Sequence, residues 1–136
     1  MGVSLNVDFL CYELGSSDFL HAFFSTIAYH LEPQGWGTQY PVTMKELYRG
    51  RLSWKSVPGA KAELSAIRKR LEDCSPDTVV WDIEDPCKPP PWGTNISSHI
   101  TSLANYFVTS DGRDLFNVMF VALDEAWKRK NDIEMR

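Results

Sequence analysis

Hydrophobic residues recur at helical spacing in three segments of the chain, and each segment predicts an amphipathic helix. The first helix begins near Ser17, where Ser16 can cap it and Asp18 places an acid in its first turn. The second begins near Ala60 and the third near Asp111. The apolar positions of the three faces are Phe19, Leu20, Phe23, Phe24, Ile27, Ala28 and Leu31; Ala60, Leu64, Ile67 and Leu71; and Leu115, Phe116, Met119, Phe120, Leu123 and Trp127.

Two other segments alternate between apolar and polar residues, which is the pattern of a half-buried strand. Residues 3–12 form the first, with apolar residues at the odd positions on one face. Residues 78–83 form the second, with Trp81 pointing into the core and Asp82 on the opposite face. We expect both strands to lie in one small sheet.

The spacing of apolar residues does not determine the secondary structure of one long segment. Residues 96–109 fit a helix and a strand equally well, and we expect residues 106–109 to join the sheet. A short helix is predicted near residues 43–48. Helices with one apolar stripe need a partner layer, so the pattern predicts an α+β fold in which about three amphipathic helices cover a small β-sheet. At 136 residues, the chain is expected to form a single compact domain over residues 1–136.

Composition narrows the class of protein. The hydrophobic content of 43% and the charged content of 24% are ordinary for a globular domain. No apolar run approaches the about 18 residues of a membrane span, and the N-terminus lacks a signal-peptide pattern, so we expect a cytoplasmic protein without membrane contact. The three cysteines and three histidines show no ligand spacing, which predicts reduced thiols, no metal site and no cofactor.

Acidic charge is concentrated in one segment. Residues 71–87 carry six carboxylates and no lysine or arginine, while the rest of the chain has 12 acidic and 14 basic residues. A field of one sign on a nearly neutral body raises encounter rates with cationic partners and disfavours nucleic acid. The segment therefore predicts a surface that binds a basic partner. The competing interpretation is a solvated charge run without a partner.

An aromatic residue follows the acidic segment in a stiff turn. Trp92 comes directly after three prolines, whose fixed φ angles can hold an indole out at little entropic cost. Tryptophan is enriched at binding hot spots, so Trp92 is a candidate contact residue. An equally acceptable role is a lid folded over the sheet.

Several blocks of sequence resemble one known family, the immunity protein 70 family of bacterial polymorphic toxin systems. The similarity extends over most of the chain, from residue 3 to residue 127. The blocks are Ser16-Ser17-Asp18-Phe19-Leu20-His21, Phe23-Phe24-Ser25-Thr26-Ile27, Gly35-Trp36-Gly37, Leu47-Tyr48, Val80-Trp81-Asp82-Ile83-Glu84-Asp85, Pro91-Trp92-Gly93 and Asn105-Tyr106-Phe107-Val108-Thr109-Ser110-Asp111-Gly112.

The resemblance implies a cytoplasmic protein that binds and neutralises a cognate toxin domain without catalysis. Such toxins are often nucleases, which tend to be basic because they bind phosphate. An inhibitor that presents carboxylates would match such a surface. The residues alone, not the family, suggest the contact set, which is Asp77, Asp82, Glu84, Asp85 and Trp92.

Two other function classes fit parts of the sequence. Paired carboxylates with a histidine base could form a hydrolase, but His21 and His30 are nine residues apart and so lie on opposite sides of a helix. No nucleophile, phosphate-binding or zinc-protease motif is present. A small-molecule or peptide-sensing module would use Phe23, Tyr29, Trp36 and Tyr40 as pocket walls, although their spacing suits a core face better.

Overall fold

The computed structural model describes residues 2–85, 87–88, 90 and 98–136. These residues form a four-stranded antiparallel sheet and three α-helices, which confirms the predicted α+β fold. The strands are β1 (Gly2–Val7), β2 (Leu10–Ser16), β3 (Arg51–Leu52) and β4 (Ile133–Met135). The helices are α1 (Ser17–Leu31), α2 (Val57–Leu71) and α3 (Leu115–Arg129), with a π-helix at Val42–Leu47 and 3-10 turns at Trp54–Ser56 and Pro76–Thr78.

The first predicted strand is a hairpin. The expectation of one strand over residues 3–12 was wrong, because the chain reverses at Asp8, which takes the left-handed conformation with φ of 55°. Val7 pairs with Leu10 across this two-residue turn, so the inward side changes from odd to even positions. Phe9 is consequently 76% exposed, whereas Val7 is buried.

Two short strands complete the sheet in the order β2-β1-β4-β3. Strand β4 lies antiparallel to β1, with Val7 opposite Ile133, and β3 pairs with β4 on its other side. With two and three residues, β3 and β4 are too short for an alternating pattern to identify them.

Helix α1 begins and ends as predicted. The side chain of Ser16 accepts a hydrogen bond from the backbone N–H of Phe19 at 3.1 Å, which caps the helix. Phe23 and Phe24 are fully buried, which confirms the predicted core face. The carboxylate of Glu32 then accepts hydrogen bonds from three backbone N–H groups of the following loop and fixes its position.

The remaining helices follow the predicted pattern with shifted starts, and α2 begins at Val57, three residues before the predicted start near Ala60. The predicted helix near residues 43–48 is the π-helix, whose first N–H groups, from Val42 and Thr43, donate to Glu63 of α2. Helix α3 begins at Leu115, with Asp114 as its cap, so the predicted start near Asp111 was four residues early. Residues 109–113 instead form a turn before the helix.

Two predicted strands lie outside the sheet. Residues 78–83 run along α1 without regular strand pairing, because their polar backbone groups bond to helix side chains instead. Residues 98–109 form turns, and a single bridge joins Val108 to Asp114 in this region. The prediction that Trp81 belongs to the core is confirmed, since it is 7% exposed and joins the main cluster of apolar residues.

Candidate functional site

Residues 77–85, here called the acidic strap, lie across α1 in the opposite direction to the helix. At one end, Nε2 of His30 donates to the Thr78 carbonyl at 2.7 Å. In the middle, Oγ1 of Thr26 accepts the Val80 N–H at 3.1 Å and lies 3.1 Å from the Val80 carbonyl. At the far end, His21 binds Asp82. The three helix side chains thus fix the strap at alternate residues.

The His21 ring links the strap to the π-helix region. Its Nε2 lies 3.1 Å from Oδ1 of Asp82, and its Nδ1 lies 2.9 Å from the Tyr48 hydroxyl. Because a carboxylate only accepts, Nε2 donates to Asp82, and in the tautomer that carries its proton on Nε2 the ring accepts the Tyr48 proton at Nδ1. The same Asp82 oxygen accepts the Glu84 N–H at 3.0 Å, which folds residues 82–85 into a turn.

The structure brings three of the predicted contact residues together in that turn. Asp82 is half-buried against His21, while Glu84 and Asp85 are exposed beside it. Asp77 is exposed at the other end of the strap, where it accepts a hydrogen bond from Ser75. Trp92 lies outside the described residues. The four described carboxylates therefore flank a segment whose apolar residues pack inward.

Hydrogen bonds, burial and neighbouring charges shift the pKa values of two residues in the site, Asp82 and Tyr48. The hydrogen bond from His21, followed by that from the Glu84 N–H, lowers the pKa of Asp82 below its usual value. Burial raises the pKa of Tyr48, and the charges of Asp82 and Glu84 raise it further. Both pKa shifts widen the pH range over which Asp82 is ionised and Tyr48 is protonated.

Replacing His21 tests this coupling. In His21→Ala, we expect the pKa of Asp82 to rise toward its usual value, because the largest cause of its lowering is removed. The folded-state pKa lies below the unfolded one, so this bond stabilises the fold above about pH 4 and the contribution is lost as pH falls through the lowered pKa. An NMR titration of the side-chain carboxyl carbon measures the shift. An Asp82 titration identical to wild type would show that His21 does not set it.

The residues of the two alternative sites are dispersed. His21 and His30 contact opposite ends of the strap, and His30 is engaged with a backbone carbonyl. Of the aromatic residues considered as pocket walls, Phe23 and Tyr40 are buried in the core and Tyr29 is 54% exposed. Trp36 is half-buried, and its indole N–H donates to the Met44 carbonyl at 2.9 Å. These four residues do not share one environment.

Other chemical features of the described residues are simple. Cys11, Cys74 and Cys87 are free cysteines, of which Cys11 and Cys87 are exposed. Within the part of the chain that the structure describes, no group of three or more histidine, cysteine, aspartate or glutamate side chains is placed to hold a metal ion. The same residues include no helix with the length and apolar character needed to cross a bilayer.

A family model for immunity protein 70 matches residues 5–135, nearly the whole chain. The chain belongs to the immunity protein 70 family. Neither a curated protein nor a solved structure matches it. Membership confirms the resemblance found in the sequence and gives the protein the general role of an immunity protein, whose partner is a toxin.

The residues that anchor the strap were missing from the predicted contact set of this immunity protein. His21, Thr26 and His30 lie on α1, separated from the strap by about fifty residues of chain. Thr26 occupies a buried position on α1, between Ser25 and Ile27. Its hydroxyl also lies 2.8 Å from the Ala22 carbonyl one turn earlier, so a buried hydroxyl here finds a partner within the helix, and no local sequence signal indicates the contact with the strap.

Proposed function

We propose that this immunity protein binds a cognate toxin domain through its acidic strap and neutralises it as a stoichiometric inhibitor. The observation that carries the proposal is the presentation of Glu84 and Asp85, both exposed, on a turn that Asp82 and His21 hold in place. The proposed contact surface comprises Asp77, Asp82, Glu84 and Asp85, together with Trp92 on the grounds of its sequence context alone.

Charge determines the partner class. The strap lies within a segment of six carboxylates that contains no lysine or arginine, and although the charge of Lys88 reaches Asp82, the net negative field attracts a basic surface. A nuclease domain offers such a surface because it must bind phosphate. The same charge disfavours direct binding of nucleic acid by the immunity protein. The proposal therefore places the protein on the basic face of a nuclease toxin. It also places this complex in the cytoplasm of the producing cell, away from the membrane.

Rigidity supports tight binding by this surface. A strap fixed at Thr78, Val80 and Asp82 loses little conformational entropy when a partner docks. The Asp82 carboxylate, which His21 and the Glu84 N–H hold in place, also disfavours partners whose charges do not match. Inhibition by this route needs no bond to be made or broken, and we propose that the protein is not an enzyme.

A complex with the toxin encoded by the neighbouring gene tests the proposal. We expect purified immunity protein and toxin domain to co-elute as a complex of fixed stoichiometry. Toxin activity should fall in proportion to the inhibitor added and reach zero at equivalence. Light scattering coupled to size-exclusion chromatography gives the stoichiometry, and a substrate-cleavage assay gives the activity.

Sub-stoichiometric inhibition would contradict this mechanism. If one molecule of immunity protein inactivated many toxin molecules, catalysis would be required, and the hydrolase alternative would replace the binding one. Inhibition by excess protein without a complex of defined composition would also contradict it. An unrelated acidic protein of similar net charge serves as the control for nonspecific electrostatic binding.

A further inference from the structure

Two tryptophans form a surface that the proposed function does not use. Trp127 on α3 is 50% exposed, and its ring centroid lies 5.5 Å from that of Trp54, in the 3-10 turn before α2. Trp54 is half-buried, so Trp127 carries most of the indole surface that is exposed to water and forgoes the free energy of burial. A large aromatic residue that stays exposed beside a second one commonly marks a binding surface.

A groove opens beside this pair, between the beginning of α2 and the end of α3. Its volume is about 290 Å³, and Val57, Pro58, Lys61, Asp124 and Trp127 line it. Nζ of Lys61 donates to Oδ1 of Asp124 at 2.6 Å, which joins the two helices at this point. Since ligand pockets range upward from about 300 Å³, the groove has room for one bulky side chain of a partner.

Hydrogen bonds hold the tryptophan turn in place. The backbone N–H of Trp54 donates to Oδ1 of Asp132 at 3.0 Å, and Arg51 binds the second oxygen of the same carboxylate at 3.1 Å. Trp54 is thereby tied to the connection that follows α3, the helix that carries Trp127. Because the groove is preformed, its residues lose little conformational entropy when a ligand binds.

Exposed lysines flank the groove, whereas the two charged residues that line it, Lys61 and Asp124, neutralise each other. Nζ of Lys55 lies 5.9 Å from the centre of the Trp54 ring, and Lys128 follows Asp124 by one helical turn. Both lysines are exposed, and neither forms an ion pair among the described residues, whereas Asp124 is already paired with Lys61. The groove therefore complements an acidic partner, which is the opposite of the preference of the strap.

We infer that the groove beside Trp54 and Trp127 is a docking surface for an acidic peptide segment that carries one bulky apolar side chain. The apolar side chain lies against Trp127, and the flanking carboxylates pair with Lys55 and Lys128. A second copy is a poorer occupant, because two-fold pairing of two such grooves would place like charges opposite each other. This inference is independent of the proposed toxin contact, which uses another surface.

The test uses the full chain and two blocked hexapeptides, Asp-Glu-Phe-Leu-Asp-Glu and Lys-Lys-Phe-Leu-Lys-Lys. Calorimetry at low salt measures both affinities, and NMR follows the tryptophan indole N–H signals. We expect the acidic peptide to bind with a Kd below about 1 mM, at least about tenfold tighter than the basic one, and to shift the Trp127 signal. Trp127→Ala should weaken its binding by roughly tenfold or more.

Matched variants separate the apolar and charged contributions. Lys55→Gln combined with Lys128→Gln should abolish the preference for the acidic peptide and leave the melting temperature unchanged, because both side chains are exposed. Phe9→Ala is the control, since Phe9 is an exposed aromatic residue next to a cation, Arg129, at 4.8 Å. It should not change either affinity.

Four results would overturn the inference. They are equal affinities for the two peptides, no binding of the acidic peptide at several millimolar, binding that Trp127→Ala leaves intact, and a concentration-dependent dimer in sedimentation that Trp127→Ala dissociates. The first would show an apolar groove without charge preference. The last would identify a second copy as the occupant.

Discussion

Phe24→Ala should destabilise the protein by about 3 to 5 kcal/mol, because the lost aromatic ring leaves a cavity that the core cannot fill. Phe24 is fully buried in α1, and its ring centroid lies 5.2 Å from that of Phe23 and 4.5 Å from that of Tyr48. The loss is a large share of the about 5 to 15 kcal/mol that stabilises a typical domain.

Thermal and urea denaturation measure this effect. A decrease of roughly 10 to 20 °C in Tm is expected for a chain of this size. Tyr29→Ala is the matched control, since Tyr29 lies on the same helix and is largely exposed. If Phe24→Ala melted within a degree or two of wild type, the buried face of α1 would not contribute to the core as described.

Glu32→Ala should destabilise the protein by about 2 to 4 kcal/mol through unpaired backbone groups. The Glu32 side chain is nearly fully buried, and its two oxygens accept the N–H groups of Gly37, Gln39 and Tyr40, each at 3.0 Å. Gly37 and Tyr40 are themselves buried, so water cannot replace the lost acceptor without local opening.

Hydrogen exchange distinguishes this mechanism from a general loss of packing. The amide protons of residues 37–40 should exchange faster in Glu32→Ala, relative to wild type, by a larger factor than those of α3. Glu46→Ala, at an exposed position in the π-helix, is the control and should change stability by less than about 0.5 kcal/mol. Uniform acceleration of exchange across the chain would contradict a local role for Glu32.

The helices were predictable because each has a wide apolar face, although only α1 has an N-terminus that the sequence located correctly. The Ser16 cap and the buried phenylalanines of α1 follow directly from local sequence. The hairpin was missed because Val7, Phe9 and Cys11 continue the alternation of β1 through the turn. A left-handed Asp8 closes that turn without the glycine that usually identifies one.

The strap was mistaken for a strand for a different physical reason. Its alternation is real, since Trp81 packs inward and Asp82 lies at the surface, but alternation does not reveal which groups satisfy the backbone. Thr26 of α1 takes the place of a neighbouring strand at Val80. Such a contact depends on tertiary structure and has no local signature. The carboxylates of the strap could be recognised in the sequence, whereas the contacts of the strap with α1 are visible only in the structure.

Trp92→Ala is expected to act mainly on dissociation from the toxin. An anchor at the desolvated centre of an interface usually contributes through the off-rate, whereas peripheral charges act through the on-rate. A measured effect of Trp92→Ala on association alone would instead assign this tryptophan to the rim of the interface or to a lid.

The central claim is that the acidic strap recognises a basic toxin, and association kinetics with the toxin encoded by the neighbouring gene test it most directly. Stopped-flow measurements compare wild type, Glu84→Lys combined with Asp85→Lys, and the control Lys69→Glu, which reverses an exposed charge on α2. The double variant should associate at least about tenfold more slowly with an unchanged melting temperature, and the control should not. The wild-type rate should also fall as salt shortens the Debye length from about 10 Å at 0.1 M to about 3 Å at 1 M. If Lys69→Glu slowed association and the double variant did not, the strap would be a solvated edge and the toxin would bind elsewhere.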